Sequence, residues 1–336
     1  MLFHLGVSVE EDSACEDDME CLSLKECRLG LTSGNRMSNI LFKCNHEQKK
    51  YCCPSDQQSL QVKMKLLPNE KCGKTSVTKI TNGKSADFGQ YPWMALLGAR
   101  LSNGSLIFIC GGTLISDRYV LTAAHCIRQI NASLEKVRLG EHNLDTDMDC
   151  NEYCTDPVED HQIEKSIPHQ LFDAHKLKND IALVRLKKKV PIFTDFIKPI
   201  CLPFDLKVTD KEGKKYEIAG WGKTDFYDSK GSSVLQFANQ VYTTPLEECN
   251  PLQAEHVQPL TDTQLCAGGT LGEDACKGDS GGPLMSVEQH PNRRSKQYFQ
   301  FGIVSFGAIP CGAHTTPSVY TRVSKYLDWI LDHIEE

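Results

Sequence analysis

Short apolar runs at 94–97, 113–115, 119–122, 181–186 and 303–306 are separated by Gly, Asn, Asp and Pro. Runs of this length bounded by turn formers predict many short strands and an all-β domain. The end of the chain differs. Tyr326, Leu327, Ile330, Leu331 and Ile334 recur at helical spacing, which predicts a C-terminal helix with one apolar stripe. Residues 54–79 are polar and Lys-rich, carry Cys72 and show little periodicity, so they read as a linker. No internal repeat is visible.

Cysteine changes this picture most. The 336 residues include 16 Cys. An even count with mixed spacings reads as disulfides and an oxidising, extracytoplasmic setting. Cys15, Cys21, Cys27, Cys44, Cys52 and Cys53 crowd the front of the chain. So short a segment cannot bury enough apolar surface to fold alone, and three internal bridges would supply the missing constraint. Their spacings match no Cys-x-x-Cys pair, which argues against zinc. Net charge is −7, which leaves no basic footprint for nucleic acid. No apolar run reaches the length of a membrane-spanning helix. Met1 to Val9 is apolar but short, without a basic leading region or a clear small-residue cleavage site, and residues 1–14 are read as an N-terminal remnant. Asn103-Gly104-Ser105 and Asn131-Ala132-Ser133 are glycosylation sequons, suited to a secreted protein.

Candidate chemistry centres on Gly278-Asp279-Ser280-Gly281-Gly282-Pro283. A Ser between glycines on a tight turn exposes its hydroxyl and leaves backbone N–H groups free nearby, as a nucleophile beside an oxyanion hole requires. Upstream, Thr122-Ala123-Ala124-His125-Cys126 offers a base and Asn179-Asp180-Ile181-Ala182-Leu183 offers an acid. Each alone has a bland reading: a loop serine, a buried structural histidine, a solvated acid. Together, in the order His, Asp, Ser, they match one chain order of the Ser-His-Asp triad.

With these flanking residues, the region from Ile80 to Glu336 resembles the trypsin/chymotrypsin-like serine proteases over its whole length. Cys15 to Cys53 resembles a clip domain. The chain as a whole resembles the arthropod clip-domain serine proteases. The resemblance implies two six-stranded antiparallel β-barrels, with the C-terminal helix expected on the second, plus a small disulfide-rich N-terminal domain. The implied divisions are 15–53 for the clip domain, 54–79 for the linker with its activation site, and 80–336 for the protease domain. It implies the pairs Cys15–Cys52, Cys21–Cys44, Cys27–Cys53, Cys72–Cys201, Cys110–Cys126, Cys150–Cys154, Cys249–Cys266 and Cys276–Cys311. A further bridge of many relatives is absent at both ends, where this chain has Tyr216 and Ser286.

The resemblance also assigns roles. Ser280 is the nucleophile, His125 the general base and Asp180 its orienter, with the N–H groups of Gly278 and Ser280 forming the oxyanion hole. Asp274 is the pocket floor that pairs with Lys or Arg of a substrate. Ser305-Phe306-Gly307 is the pocket wall, and Ser318 stands where such pockets usually have Gly. Lys79-Ile80-Thr81-Asn82-Gly83 resembles an activation junction, in which cutting after Lys79 frees an Ile80 amine to pair with Asp279. The acidic loop after Gly140 carries Asp145, Asp147 and Asp149. It lacks the glycine and the flanking helices of an EF-hand, whereas the trypsin family binds Ca²⁺ in this loop through Glu141, Asn143 and Thr146 (backbone) and Asp149. No cofactor is expected for catalysis.

The resulting expectation is a secreted endopeptidase zymogen of an extracellular cascade in innate immunity (Toll signalling or melanisation) or development. Its partners would be a protein substrate, an upstream activating protease and a serpin. The alternatives are a non-cascade trypsin-like hydrolase, or a catalytically weak binding protein on a protease fold.

Overall fold

The computed structural model describes the backbone of residues 19–23, 43–45, 50–54 and 250–253. It describes in full residues 63–68, 70–77, 85–128, 132–150, 153–204, 213–223, 230–249, 259–269, 278–289, 295–307 and 316–336. Three strands, β1 (Met19–Ser23), β2 (Lys43–Asn45) and β3 (Lys50–Pro54), form a small antiparallel sheet in the order β1-β3-β2. The three bridges expected in this segment lie outside the described residues or on side chains that are not described.

Two closed antiparallel barrels follow. The first is built from β4 (Met94–Arg100), β5 (Leu106–Leu114), β6 (Tyr119–Thr122), β7 (Ser133–Leu139), β8 (Glu159–Pro168) and β9 (Ala182–Leu186), closed in the order β4-β5-β6-β9-β8-β7. The second uses β10 (Lys215–Gly220), β11 (Gln236–Thr244), β12 (Gln264–Ala267), β13 (Pro283–Gln289), β14 (Lys296–Phe306) and β15 (Ser318–Arg322), closed in the order β10-β11-β12-β15-β14-β13. Closure leaves neither barrel with an exposed edge. The apolar runs mark these strands, though 113–115 and 303–306 prove to be the ends of the longer β5 and β14. Short helices also occur at α1 (His125–Arg128) and α2 (Leu246–Gln253).

The C-terminal helix α3 (Leu327–His333) forms as its stripe predicts, but on the other barrel. Its buried residues join a core cluster that spans both barrels, and its polar contacts place it on the first. Trp329 Nε1 donates to Gln170 Oε1 at 3.0 Å, and the Glu335 N–H donates to the Tyr119 hydroxyl at 3.2 Å. Arg185 on β9 pairs with Glu335 at 2.7 Å. The expected docking on the second barrel is therefore corrected. An apolar stripe requires a partner face but does not say which one, and here polar contacts at the helix end select β6 and β9.

The bridge missing between positions 216 and 286 is replaced by packing. Tyr216 is fully buried, edge-on to Phe301 at 5.4 Å, and Lys214 Nζ lies 3.9 Å from the Phe301 ring centroid. Four of the expected disulfides are present: Cys72–Cys201, Cys110–Cys126, Cys150–Cys154 and Cys249–Cys266. Cys276–Cys311 lies outside the described residues.

Polar contacts bridge the two barrels. Thr113 Oγ1 on β5 donates to Gln300 Oε1 on β14 at 2.6 Å, with both residues fully buried. Glu217 on β10 accepts from the hydroxyls of Tyr91 at 2.8 Å and Tyr298 at 3.2 Å. Burial pushes the Glu217 carboxyl above its ordinary value, against the opposing pull of those two hydroxyls. Because the folded state holds this proton longer than the unfolded state, stability falls as pH rises past about 4.5 and through the folded pKa. Glu217→Gln removes that slope while keeping an acceptor for both hydroxyls. In thermal unfolding, the variant is therefore expected to gain on the wild type as pH rises from 4 toward neutrality, whereas parallel pH profiles would contradict the assignment.

Candidate active site

The site is assembled where the barrels meet. Asp180 precedes β9 and is fully buried. A carboxylate so placed needs hydrogen bonds on its oxygens. Asp180 Oδ1 accepts the His125 backbone N–H at 2.8 Å, and Oδ2 lies 2.8 Å from His125 Nδ1. The Ser305 hydroxyl, at the end of β14, donates to the same Oδ2 at 2.5 Å. Thr321 Oγ1 on β15 donates to the Asp180 carbonyl at 2.7 Å. Two donors thus come from the His125 segment of the first barrel and two from strands of the second.

The turn before Asp180 is unusual. Leu177 and Asn179 both adopt left-handed conformations, with φ of 49° and 54°, which Asn tolerates better than Leu. The Asn179 side chain is held at both ends, donating to the Leu171 carbonyl at 2.8 Å and accepting the Tyr326 hydroxyl at 2.9 Å.

His125 opens α1 and keeps its ring partly exposed. The Cys110–Cys126 bridge fastens this segment to β5, with Cys126 Sγ 3.7 Å from His125 Nε2. The three side chains cluster closely enough to suggest a metal site. Both sulfurs are consumed in the disulfide, however, so no thiolate is available as a ligand.

Ser280 sits on a turn fixed to both barrels. Its carbonyl accepts the Gly111 N–H of β5 at 2.8 Å, while the next residue, Gly281, donates to the Val304 carbonyl of β14 at 2.9 Å. Gly281 has φ of 80°, and a Cβ there would overlap Thr122 Oγ1 and approach the Ala123 nitrogen at 3.3 Å. The turn therefore packs against the segment that leads into His125. Gly278 has φ of 111°, and a Cβ there would lie 2.8 Å from the Gly222 Cα. Only glycine fits both requirements.

Asp279, between these residues, turns its carboxylate toward Gly220 and Gly222. Its carboxylate accepts the Gly222 N–H at 2.8 Å and fills space that a side chain on Gly220 or Gly222 would need. Its proposed partner Ile80, and Lys79, lie outside the described residues.

Of the pocket residues, Asp274 also lies outside the described residues. Ser318 is buried at the start of β15, with its Oγ in the space a Gly307 side chain would occupy. The hydroxyl is thus packed against the Gly307 backbone. Ser305, expected on the pocket wall, also gives its side chain to Asp180. Its support of the acid, and that of Thr321, was missed in the sequence.

The acidic loop after β7 turns two carboxylates inward. Glu141 and Asp149 are both buried. Asp149 Oδ2 accepts the Asn143 N–H at 3.1 Å, and its Oδ1 accepts the Thr146 hydroxyl. Arg138 Nη1 lies 3.2 Å from Glu141 Oε2. Burial raises the Glu141 pKa, Arg138 opposes that rise, and nearby Asp149 adds to it. Asp145 and Asp147 are exposed. Of the two sequons, Asn103 is exposed at the β4–β5 turn, its Oδ1 accepting the Ser105 hydroxyl at 2.7 Å. Asn131 lies outside the described residues.

Comparison with known proteins agrees with this geometry. The family described as Trypsin matches residues 80–330. The chain is 37% identical over 352 residues to the CLIP domain-containing serine protease HP8 of Bombyx mori, covering 96% of this chain and 93% of that one. It is 39% identical over 293 residues to the serine protease grass of Drosophila melanogaster, covering 84% and 75% respectively. The crystal structure of the Drosophila Grass clip serine protease of the Toll pathway superposes with a TM-score of 0.72 at 35% identity, covering 94% of each chain. Mouse neuropsin, a serine protease, superposes with a TM-score of 0.60 at 31% identity. The chain belongs to the trypsin family of serine proteases, in its clip-domain branch.

Ser305 yields a direct test. A hydrogen bond to a charged group contributes about 1.5–3 kcal/mol, and 1.4 kcal/mol is tenfold in rate. Ser305→Ala is expected to lower kcat by roughly tenfold or more with KM nearly unchanged. Steady-state kinetics at full folding would contradict the role if kcat stayed at the wild-type value.

Proposed function

We propose that this protein is a secreted endopeptidase zymogen that cleaves after Lys or Arg in another extracellular protein. The observation that carries the reading is the pairing of His125 with the buried Asp180 at the barrel seam, beside the turn that presents Ser280. In the proposed reaction Ser280 Oγ attacks the scissile carbonyl while His125 takes its proton. The tetrahedral intermediate places its oxyanion on the N–H groups of Gly278 and Ser280. His125 then protonates the leaving amine, the acyl-enzyme forms, and water reverses the sequence to release the acid. Asp180 holds the imidazole in orientation and stabilises its cation. No metal or cofactor takes part in these steps.

Asp274 supplies the carboxylate that selects a basic side chain, and Ser318 narrows the slot above it by one hydroxymethyl group. Cutting after Lys79 frees Ile80, whose amine pairs with Asp279 and orders the adjoining turn. The contact of Asp279 with Gly222 supports this, because it holds the carboxylate against the backbone just after β10 rather than in solvent. A buried ion pair of this kind can act as a switch.

Relatives named phenoloxidase-activating factor 3, of Holotrichia diomphalia, and Spaetzle-processing enzyme, of Drosophila melanogaster, support a place in a cascade of secreted proteases. Such a place calls for an upstream activating protease and a serpin inhibitor. Secretion is supported by the disulfides. Among the described residues, no helix is long and apolar enough to cross a membrane.

Glu141, Asp149 and the carbonyls of Asn143 and Thr146 form an all-oxygen donor set of the kind Ca²⁺ takes. Two buried carboxylates, with Arg138 the one cation close to them among the described residues, fit a divalent ion, which would brace the loop without entering the chemistry.

Two measurements follow. Cleavage after Lys79 is expected to switch on hydrolysis of Arg- and Lys-ending chromogenic peptides, with no hydrolysis by Ser280→Ala. Activity unchanged by the cut would end the zymogen reading. Addition of Ca²⁺ is expected to raise Tm, and Glu141→Gln to abolish that rise. An equal Ca²⁺ response in the variant would remove Glu141 from the site.

A further inference from the structure

Residues 63–68 and 70–77 precede the proposed cut, yet they are built into the catalytic domain. Leu67 is buried in the main core cluster, with Met64 and Leu66 packed against it. Lys63 Nζ donates to the Asp332 carbonyl beyond the first barrel at 3.3 Å. Further along, the backbone pairs with the β9–β10 connection and with β14 of the second barrel. The Gly73 N–H donates to the Pro199 carbonyl at 2.7 Å, and its own carbonyl accepts the Tyr298 N–H at 2.9 Å. Gln297 Nε2 donates to the Cys72 carbonyl at 2.8 Å, within a buried residue.

Gly73 fixes how close this approach is. It has φ of 62°, and a Cβ there would overlap the Tyr298 carbonyl oxygen and lie 2.7 Å from the Tyr298 nitrogen. Side chains then pin the exit. Thr75 Oγ1 donates to the Gly89 carbonyl at 2.9 Å, and Ser76 Oγ donates to Asp195 Oδ1 at 2.6 Å. Contacts therefore begin before Cys72, surround it and continue after it. The Cys72–Cys201 bridge is one attachment among several.

We propose that residues 63–77 are a noncovalent strap that retains the N-terminal chain on the catalytic domain after activation, even when Cys72–Cys201 is broken. Its consequence rests on the zymogen reading, while the strap itself rests on the contacts above. The partner is the segment's own chain, recognised by an apolar socket for Leu67 and a backbone clamp that admits only glycine at 73. The clip domain would then travel with the enzyme whatever the redox state of the linker bridge.

The test uses the full chain carrying Cys72→Ser and Cys201→Ser, with residues 78–79 replaced by the recognition sequence of a specific processing protease. N-terminal sequencing verifies the cut. Native size-exclusion at micromolar concentration is expected to show the two fragments co-eluting, with separation only on a denaturing gel. Adding Gly73→Ala imposes left-handed strain and a backbone clash, and is expected to weaken retention by on the order of tenfold or more. Fragments of the double variant that separate natively would overturn the proposal. If that variant fails to fold, the cut chain with native cysteines is reduced under native conditions, with the freed Cys72 verified by mass spectrometry, and the same two outcomes apply. Because the cut is made at an introduced site, fragments that stay together without gaining peptidase activity count against the activation reading alone.

Discussion

A carboxylate sealed from water at a seam between two barrels is the constraint on which this site depends. Asp180 cannot be buried there unless its oxygens are bonded. Its donors come from opposite sides: the His125 backbone and ring from the first barrel, the Ser305 hydroxyl from the second. The two barrels therefore cannot slide without breaking a charged hydrogen bond. The same contacts that make the acid tolerable also fix the imidazole. Stability and preorganisation for catalysis are here one arrangement, as electrostatic catalysis requires.

Neighbouring contacts extend this logic to the nucleophile. Gly111 on β5 grips the Ser280 carbonyl and Val304 on β14 accepts the Gly281 N–H, so the nucleophile's turn is tied to both barrels. Thr113 is two residues along from Gly111, and Gln300 is five residues before Ser305. Their buried hydrogen bond joins the strands that carry the two halves of the site. Glu217 with Tyr91 and Tyr298 repeats the device farther from the cleft. Polar groups in an interface that is otherwise apolar specify one register, because any shift leaves them unpaired.

Much of this was legible in the sequence because local patterns have local causes. Short runs such as 119–122 mark strands since strands are short and turns need Gly, Asn, Asp or Pro. The three motif segments were recognisable because the turn around Ser280 admits only glycines at 278 and 281. What sequence could not supply was partnership across long separations. The stripe at Leu327, Ile330 and Leu331 predicted a helix but pointed it at the wrong barrel. The hydroxyl role of Ser305 was not legible, because nothing local shows it turning to an acid 125 residues away. Glu217 carried no signal at all, since its two tyrosines lie 126 and 81 residues distant. The linker read as a polar connection because its five lysines are interleaved with its anchors and break any apolar periodicity. Gly73 shows its role only against Pro199 and Tyr298, and Leu67 only within the core cluster it joins.

The central claim is that Ser280 is a nucleophile activated by His125 on a buried Asp180. Site-resolved mass spectrometry of the cut protein after treatment with a serine-reactive organophosphonate tests it most directly. The account predicts one adduct per chain, on Ser280, and its loss in His125→Ala. An unlabelled Ser280, or labelling that survives removal of His125, would contradict it.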